Sequence, residues 1–141
     1  MQANATYRGF NVPHHTASYW AMYNVARNYD RLETYQTWQW YLKQATFSAL
    51  TTVGAGTGLM DGTVFREVLV ALKTELAADP TLMLDGFHAQ NVSDMLDAGE
   101  RRRQQNWAKQ AYPYGSEFGF DTTGQEEVVI WNMHQLLFSS P

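Results

Sequence analysis

The sequence predicts an all-α fold in which about five helices form antiparallel hairpins. Apolar residues recur three or four positions apart in several segments, which is the period of an amphipathic helix. Glycine- or proline-containing stretches separate these segments, and none of the segments shows the alternation of a half-buried strand. The chain has 141 residues, 45% hydrophobic and 17% charged, which suits one globular domain. We therefore expect a single helical domain over residues 1–141.

The first two predicted helices are the most aromatic. The first is expected from about His15 to Tyr29, and the second carries a stripe between Tyr35 and Ala49. Since the second also has apolar residues on another side, it is expected to be buried among other helices. The glycine-rich stretch 54–58 then predicts a loop.

The third helix is predicted from a clear amphipathic stripe. Its members are Phe65, Val68, Leu69, Leu72 and Leu76. Asp61 or Thr63 is expected to cap the start of this helix, and Pro80 lies just past its end.

The fourth helix is predicted from a weaker stripe, from Ser93 to about Gln110, with Asn91 or Ser93 as its cap. A turn is expected at 112–115.

The fifth helix is expected to begin near Thr122 or Thr123, because each starts a capping-box pattern that ends in Gln125 or Glu126. Its predicted stripe is Glu127, Ile130, Trp131, His134 and Leu137 or Phe138.

Composition excludes several classes of protein. Without cysteine there is no disulfide framework, thiolate zinc site or cysteine nucleophile. The net charge of −4 does not favour nucleic acid as a partner. The longest apolar run, residues 68–72, is too short to span a membrane, so no membrane partner is expected. The N-terminus lacks the apolar core of a signal peptide, so either the protein is cytosolic or an export signal lies outside this chain.

The arginine run at 101–103 is interpreted as a solvated face and not as a nucleic-acid site. Asp97 and Arg101 have the spacing of an ion pair on one helix. Three successive arginines fan around a helix and do not form one stripe.

The segment 114–127 is the most informative for chemistry. Its carboxylates stand among glycines and aromatic residues, and apolar neighbours raise the pKa of a carboxyl enough to keep a general acid protonated. A second carboxylate in a wetter setting can act as base or nucleophile, as glycoside hydrolysis requires. The four candidate catalytic residues are Glu117, Asp121, Glu126 and Glu127.

A structural interpretation of the same acids stays open. Glu126 would then close a capping box, where the helix dipole favours an acid. Glu127 falls on the same face as Trp131 and His134, where a surface acid is unexpected, and it would pair with an arginine from another helix.

The histidines and aromatic rings are candidate binding residues. His14 and His15 are expected to hydrogen-bond sugar hydroxyls beside an aromatic platform, or else to serve in capping and packing. Adjacent histidines are poorly placed to hold one ion together, so no metal is predicted. Trp20, Trp38 and Trp40 are candidates to stack on sugar rings, although most of these rings are expected in the core.

Asp61 adds an acid between glycines, with helix capping as the favoured interpretation. The sequence has no phosphate-binding loop, and its glycine-rich stretch has the wrong spacing for a dinucleotide site, so no cofactor is predicted.

Several motifs follow one another in a familiar order. They are Pro13-His14-His15, Tyr19-Trp20-Ala21, Trp38–Leu42, Gly58–Phe65, Trp107 and Tyr112–Val128. Over about residues 10–131 the chain resembles a large family of microbial and fungal proteins related to six-hairpin glycosidases. The last of these motifs is the most specific.

The resemblance implies part of an (α/α)6 toroid, in which helical hairpins surround a carbohydrate-binding cleft with the hydrolytic acids on loops at one end. Glu117, Asp121, Glu126 and Glu127 match the acidic motif of the family. Glu117 is assigned as general acid and Asp121 as base or nucleophile, with Glu126 as the main substitute. The residues assigned to bind an oligo- or polysaccharide are His14, His15, Trp20, Trp38, Trp40, Asp61 and Tyr114.

The resemblance also implies that the chain is incomplete as a ring. A six-hairpin ring needs more helices than the five predicted here, and residues 132–141 depart from the family pattern as a divergent C-terminal tail. End helices of a partial ring would expose apolar sides, so self-association or contact with the missing remainder of the toroid is expected. Secretion is expected for the parent family.

Three functional hypotheses follow. The first is a glycoside hydrolase-like protein that uses a carboxylate pair in an aromatic-lined cleft. The second is a noncatalytic helical module that binds glycans. The third is a structural bundle that acts through protein contacts, with the acids as helix caps.

Overall fold

The structure, a computed structural model, describes residues 11–55, 61–109 and 123–138. These residues form five helices and one short hairpin, so the predicted all-α fold is confirmed. The elements are α1 (Asn11–Asn28), α2 (Trp38–Ala55), α3 (Gly62–Ala78), β1 (Met83–Leu84), β2 (Phe87–His88), α4 (Ala89–Ala108) and α5 (Thr123–Phe138). None of the helices within the described ranges is long and apolar enough to cross a membrane.

Helices α1 and α2 form an antiparallel hairpin. Tyr19 packs edge-to-face on Trp40, and Tyr23, one turn later, packs on Trp38, so the contacts run in opposite directions along the two helices. Helix α1 begins earlier than predicted, at Asn11, because a proline is tolerated in the first turn of a helix. Helix α2 continues to Ala55, so the first two residues of the predicted loop 54–58 are helical and the other three lie outside the described residues.

Helix α3 is the centre of the bundle, because it packs against each of the other four helices. All five residues of its predicted stripe are buried, which confirms the stripe. The core they share with the other elements also contains Leu42, Ala45, Ala49, Leu84, Val92, Leu96 and Trp131.

The hairpin between α3 and α4 was not predicted. Met83 pairs with His88 and Leu84 with Phe87, across a tight turn at Asp85 and Gly86. Both turn residues have positive φ, +47° and +88°, the combination that Asp-Gly favours in a two-residue hairpin turn.

Helix α4 follows the hairpin directly and therefore begins earlier than predicted. Helix α4 begins at Ala89, with His88 in the cap position, so the predicted start at Ser93 and the predicted caps Asn91 and Ser93 are wrong. Ser93 instead lies on the buried face of the helix. The predicted turn at 112–115 lies outside the described residues.

Helix α5 has two different faces. Glu127, Trp131 and His134 are buried as their shared stripe predicts. Four of the described apolar side chains lie exposed on the outer face. One of them is Leu137, which was predicted as an alternative to Phe138 for the end of the buried stripe. The exposed residues are Val129, Met133, Leu136 and Leu137. Because α5 runs to Phe138, the segment predicted as a divergent tail from residue 132 begins inside a helix.

Candidate functional site

The N-terminal ends of α1, α3 and α5 meet at one end of the bundle. Thr63 in the first turn of α3 donates its hydroxyl to the Glu126 carboxylate of α5, with 3.0 Å between Oγ1 and Oε1. Gly62 lies so close to α5 that an added Cβ would stand 3.3 Å from the Glu127 Cα. His14 in the first turns of α1 acts electrostatically on Asp61, which precedes α3. We call His14, Asp61, Thr63 and Glu126 the N-terminal junction.

Asp61 is the most unusual acid of this junction. It occupies the cap position of α3, yet its side chain makes no capping hydrogen bond. Burial raises the pKa of the Asp61 carboxyl, Glu126 adds to the rise, and His14 opposes it. Asp61 therefore takes the predicted cap position, but its carboxyl makes no capping hydrogen bond to α3.

Glu126 is the exposed acid of the junction. It lies in the first turn of α5, where the positive end of the helix dipole stabilises a carboxylate. The hydroxyl of Thr63 fixes one of its oxygens. Asp61 and Glu126 thus offer two carboxyl groups in different surroundings, one partly buried and one exposed, which is the arrangement that lets one donate and the other accept a proton.

Glu127 points the other way, into the protein. It is fully buried, and its Oε1 lies 2.5 Å from Nε of Arg103 in α4. The indole N–H of Trp107 donates to its Oε2 at 3.2 Å. Burial raises the pKa of Glu127, while Arg103 and Trp107 oppose the rise. This geometry matches the structural alternative, in which Glu127 pairs with an arginine from another helix.

Arg103 and Glu100 were missed as buried charged residues. The predicted solvated face is correct for Arg101, which binds Asp97 at 2.6 Å, and for the exposed Arg102, but it is wrong for Arg103. Glu100 follows Val92 and Leu96 at four-residue steps, so its place on the buried face of α4 could have been predicted from the helical period.

The histidines lie in α1 and not in a loop. His14 and His15 are both exposed, and of the two only His14 acts on Asp61. Within the described ranges no group of three histidine or acidic side chains could hold a metal ion.

The tryptophans are spread along the bundle. Trp38 packs beneath the guanidinium of Arg27, which binds Glu75 near the C-terminal end of α3. Glu75 is thirteen residues beyond Gly62, or about 20 Å along the helix, so the structure does not bring Trp38 to the N-terminal junction. Trp40 packs between Tyr19 and Tyr41.

Trp20 is half-buried against the core. Tyr114 and the assigned acid and base, Glu117 and Asp121, lie outside the described residues.

Comparison with known proteins places the chain in a family. A family model matches residues 1–137, almost the whole chain, and describes DUF5695, a family of unknown function. The chain belongs to DUF5695. No curated protein and no solved structure matches it. In this DUF5695 member, Asp61 and Glu126 are the two carboxyl groups of the N-terminal junction.

Proposed function

We propose that the N-terminal junction is the acid–base site of a glycoside hydrolase-like protein that acts on an oligo- or polysaccharide. The observation that carries this proposal is the environment of Asp61: a partly buried carboxyl without a capping bond, influenced by Glu126 and His14. A raised pKa favours the protonated form of a carboxyl, which is the form that donates a proton to a glycosidic oxygen. Glu126 is exposed and serves as the base or nucleophile.

The other residues of the junction have supporting roles in this proposal. Thr63 holds one oxygen of Glu126, which orients the carboxylate. His14 is exposed beside Asp61, where it can hydrogen-bond a sugar hydroxyl. Glu117 and Asp121, which precede α5 in the sequence, remain the competing acid and base.

The experiment compares four single variants in hydrolysis assays on a panel of oligosaccharides. Asp61→Asn and Glu126→Gln test the described pair, and Glu117→Gln and Asp121→Asn test the competing one. Loss of a general acid or base lowers kcat by roughly 10²–10⁴-fold. Asp94→Asn is the control, because Asp94 is an exposed acid on α4.

The outcomes separate the two pairs. We expect Asp61→Asn and Glu126→Gln to lose turnover while Asp94→Asn keeps it. If Asp61→Asn retains full turnover and Asp121→Asn abolishes it, the chemistry belongs to the acidic segment and the assignment of Asp61 is wrong.

The second candidate is a noncatalytic glycan-binding module. It is favoured by the engagement of both acids of α5 with protein groups, Glu126 with Thr63 and Glu127 with Arg103. A noncatalytic module would bind sugar in calorimetry but would show no turnover. Its sugar binding would also be retained in the Asp61→Asn variant.

We also propose that the five helices form part of an (α/α)6 toroid. The exposed apolar face of α5 supports a further helical layer there, supplied by the remainder of a toroid or by self-association. Sedimentation of the chain tests the second possibility, because a monomer at all concentrations excludes self-association.

A further inference from the structure

A second group of charges lies behind the N-terminal junction. Glu100 of α4 is 1% exposed, and within the described part of the chain neither of its carboxyl oxygens has a hydrogen-bond partner. Arg103 lies nearly one turn further along α4 and binds Glu127 of α5. A buried carboxylate without a partner is strongly unfavourable because it has lost its hydration, and a neutral carboxyl largely avoids this cost.

The charges around Glu100 do not balance when every acid is ionised. The groups that act on it are Asp97 and Arg103 from its own helix and Glu127 from α5, and no group of α2 or α3 is among them. Asp97 is already bound by Lys73 and Arg101. Among the groups that the structure describes, Arg103 is the cation that acts on both buried carboxyl groups, and one positive charge balances only one of them.

We propose that Glu100 and Glu127 together carry one proton beside Arg103. The neutral form of Glu100 is then required for α5 to pack stably against α4. Because Glu126 is the residue before Glu127, the proton also fixes the position of Glu126. This last step rests on the proposed function of the N-terminal junction, whereas the shared proton does not.

The direction of the titration follows from the surroundings. Burial raises the pKa of Glu100 to about 9, Arg103 opposes the rise, and Glu127 and Asp97 add to it. The unfolded chain releases this proton near pH 4.5, whereas the folded protein keeps it until about pH 9. Stability is therefore lost as the pH rises through this interval and levels off above it.

Ionisation of Glu100 has a structural consequence. The buried carboxylates of Glu100 and Glu127 then compete for the guanidinium of Arg103, so the ion pair between Arg103 and Glu127 weakens. The contact of Trp107 with the same carboxylate reports this change, since its indole N–H donates to Oε2 of Glu127.

The experiment measures unfolding of the full chain from pH 5 to pH 9.5 in wild type, Glu100→Gln and Glu100→Met. Methionine has a similar length and needs no hydrogen bond, so it covers the case in which the amide misfolds. Glu33→Gln is the control, because Glu33 is exposed in the α1–α2 connection. We expect the folding equilibrium constant of wild type to fall relative to both Glu100 variants by up to about tenfold per pH unit.

Two further measurements make the test independent of folding defects and of sugar chemistry. A carboxyl NMR titration of wild type gives the pKa of Glu100 directly, and a value below 6 overturns the proposal. The indole resonance of Trp107 is expected to shift between pH 7 and pH 10 in wild type but not in Glu100→Met.

If these changes occur in a protein that hydrolyses no sugar, the shared proton stands and the proposed function fails. Equal pH slopes in wild type and both variants overturn the shared proton and leave the proposed function untouched.

Discussion

Arg103 and Glu127 join α4 to α5 through an ion pair inside the protein. The distance between Nε and Oε1 is 2.5 Å, and the two side chains are 8% and 0% exposed. The indole of Trp107 satisfies the second oxygen of the same carboxylate. The placement of α5, and of Glu126 in its first turn, therefore depends on a polar contact that water does not reach.

Removing one partner of this pair is expected to destabilise the fold strongly. Arg103→Met leaves the Glu127 carboxylate buried without its cation, which costs about 3–5 kcal/mol, measured by chemical denaturation. The double variant Arg103→Met/Glu127→Met recovers a large part of the loss. Arg101→Met is the control on the same helix, and its exposed pair with Asp97 contributes at most about 1 kcal/mol. Equal losses in the two single variants would contradict the buried role of Arg103.

The close crossing of α2 and α4 at Gly99 gives a second prediction. A Cβ at Gly99 would stand 2.9 Å from Cγ1 of Val53, a stiff β-branched side chain. We expect Gly99→Ala to be neutral or destabilising in wild type. In a Val53→Ala background the same change stabilises by about 1 kcal/mol, because alanine is the better helix former. A thermal-unfolding cycle of the four proteins measures the coupling, and additive effects would show that the helices do not touch here.

The N-terminal junction predicts opposite pKa changes for Asp61. Replacing Glu126 by glutamine lowers the pKa of Asp61, because the neighbouring negative charge is removed. Replacing His14 by asparagine raises the pKa of Asp61, because the electrostatic effect by which His14 lowers it is removed. Carboxyl NMR titration of both variants provides the measurement, with His15→Asn as the matched control. Unchanged titration of Asp61 in both would mean that the three residues do not form one site.

His134 makes the fold sensitive to acid. Burial lowers the pKa of this imidazole to about 4, Lys73 lowers it further, and Asp97 opposes both. In the unfolded chain His134 is protonated near pH 6.5, whereas in the folded protein it is protonated only near pH 4. The free energy of unfolding therefore falls as the pH drops through this interval. His134→Gln is expected to remove this part of the pH slope in thermal unfolding, whereas the exposed His15→Gln keeps it. An unaltered slope in His134→Gln would assign the acid sensitivity to other groups.

The helices themselves were largely predictable from periodicity. The stripe from Phe65 to Leu76 is buried as expected, because a strongly amphipathic helix has one orientation that buries its apolar face. The helical period places the start of α4 at Ser93, four residues beyond Ala89, because the strands on either side of the Asp85-Gly86 turn have only two residues each and show no alternation.

The pairings between helices could not be predicted in the same way. Arg103 and Glu127 are 24 positions apart, and their contact depends on how α5 packs on α4. Of the three adjacent arginines, Arg101 and Arg102 are exposed and Arg103 is buried. This difference depends on how the helices pack and not on the local sequence. The proximity of Asp61 to Glu126 likewise follows from the meeting of helix ends and not from local sequence.

The outer face of α5 also governs how the protein behaves in solution. From Val128 to Phe138 the sequence has no Asp, Glu, Lys or Arg, and four of the described apolar side chains of this helix are exposed. Excluded salts such as ammonium sulfate strengthen contacts between apolar surfaces. Ammonium sulfate is therefore expected to favour contacts through this uncharged helix face, and a charged substitution at Leu136 is expected to weaken those contacts.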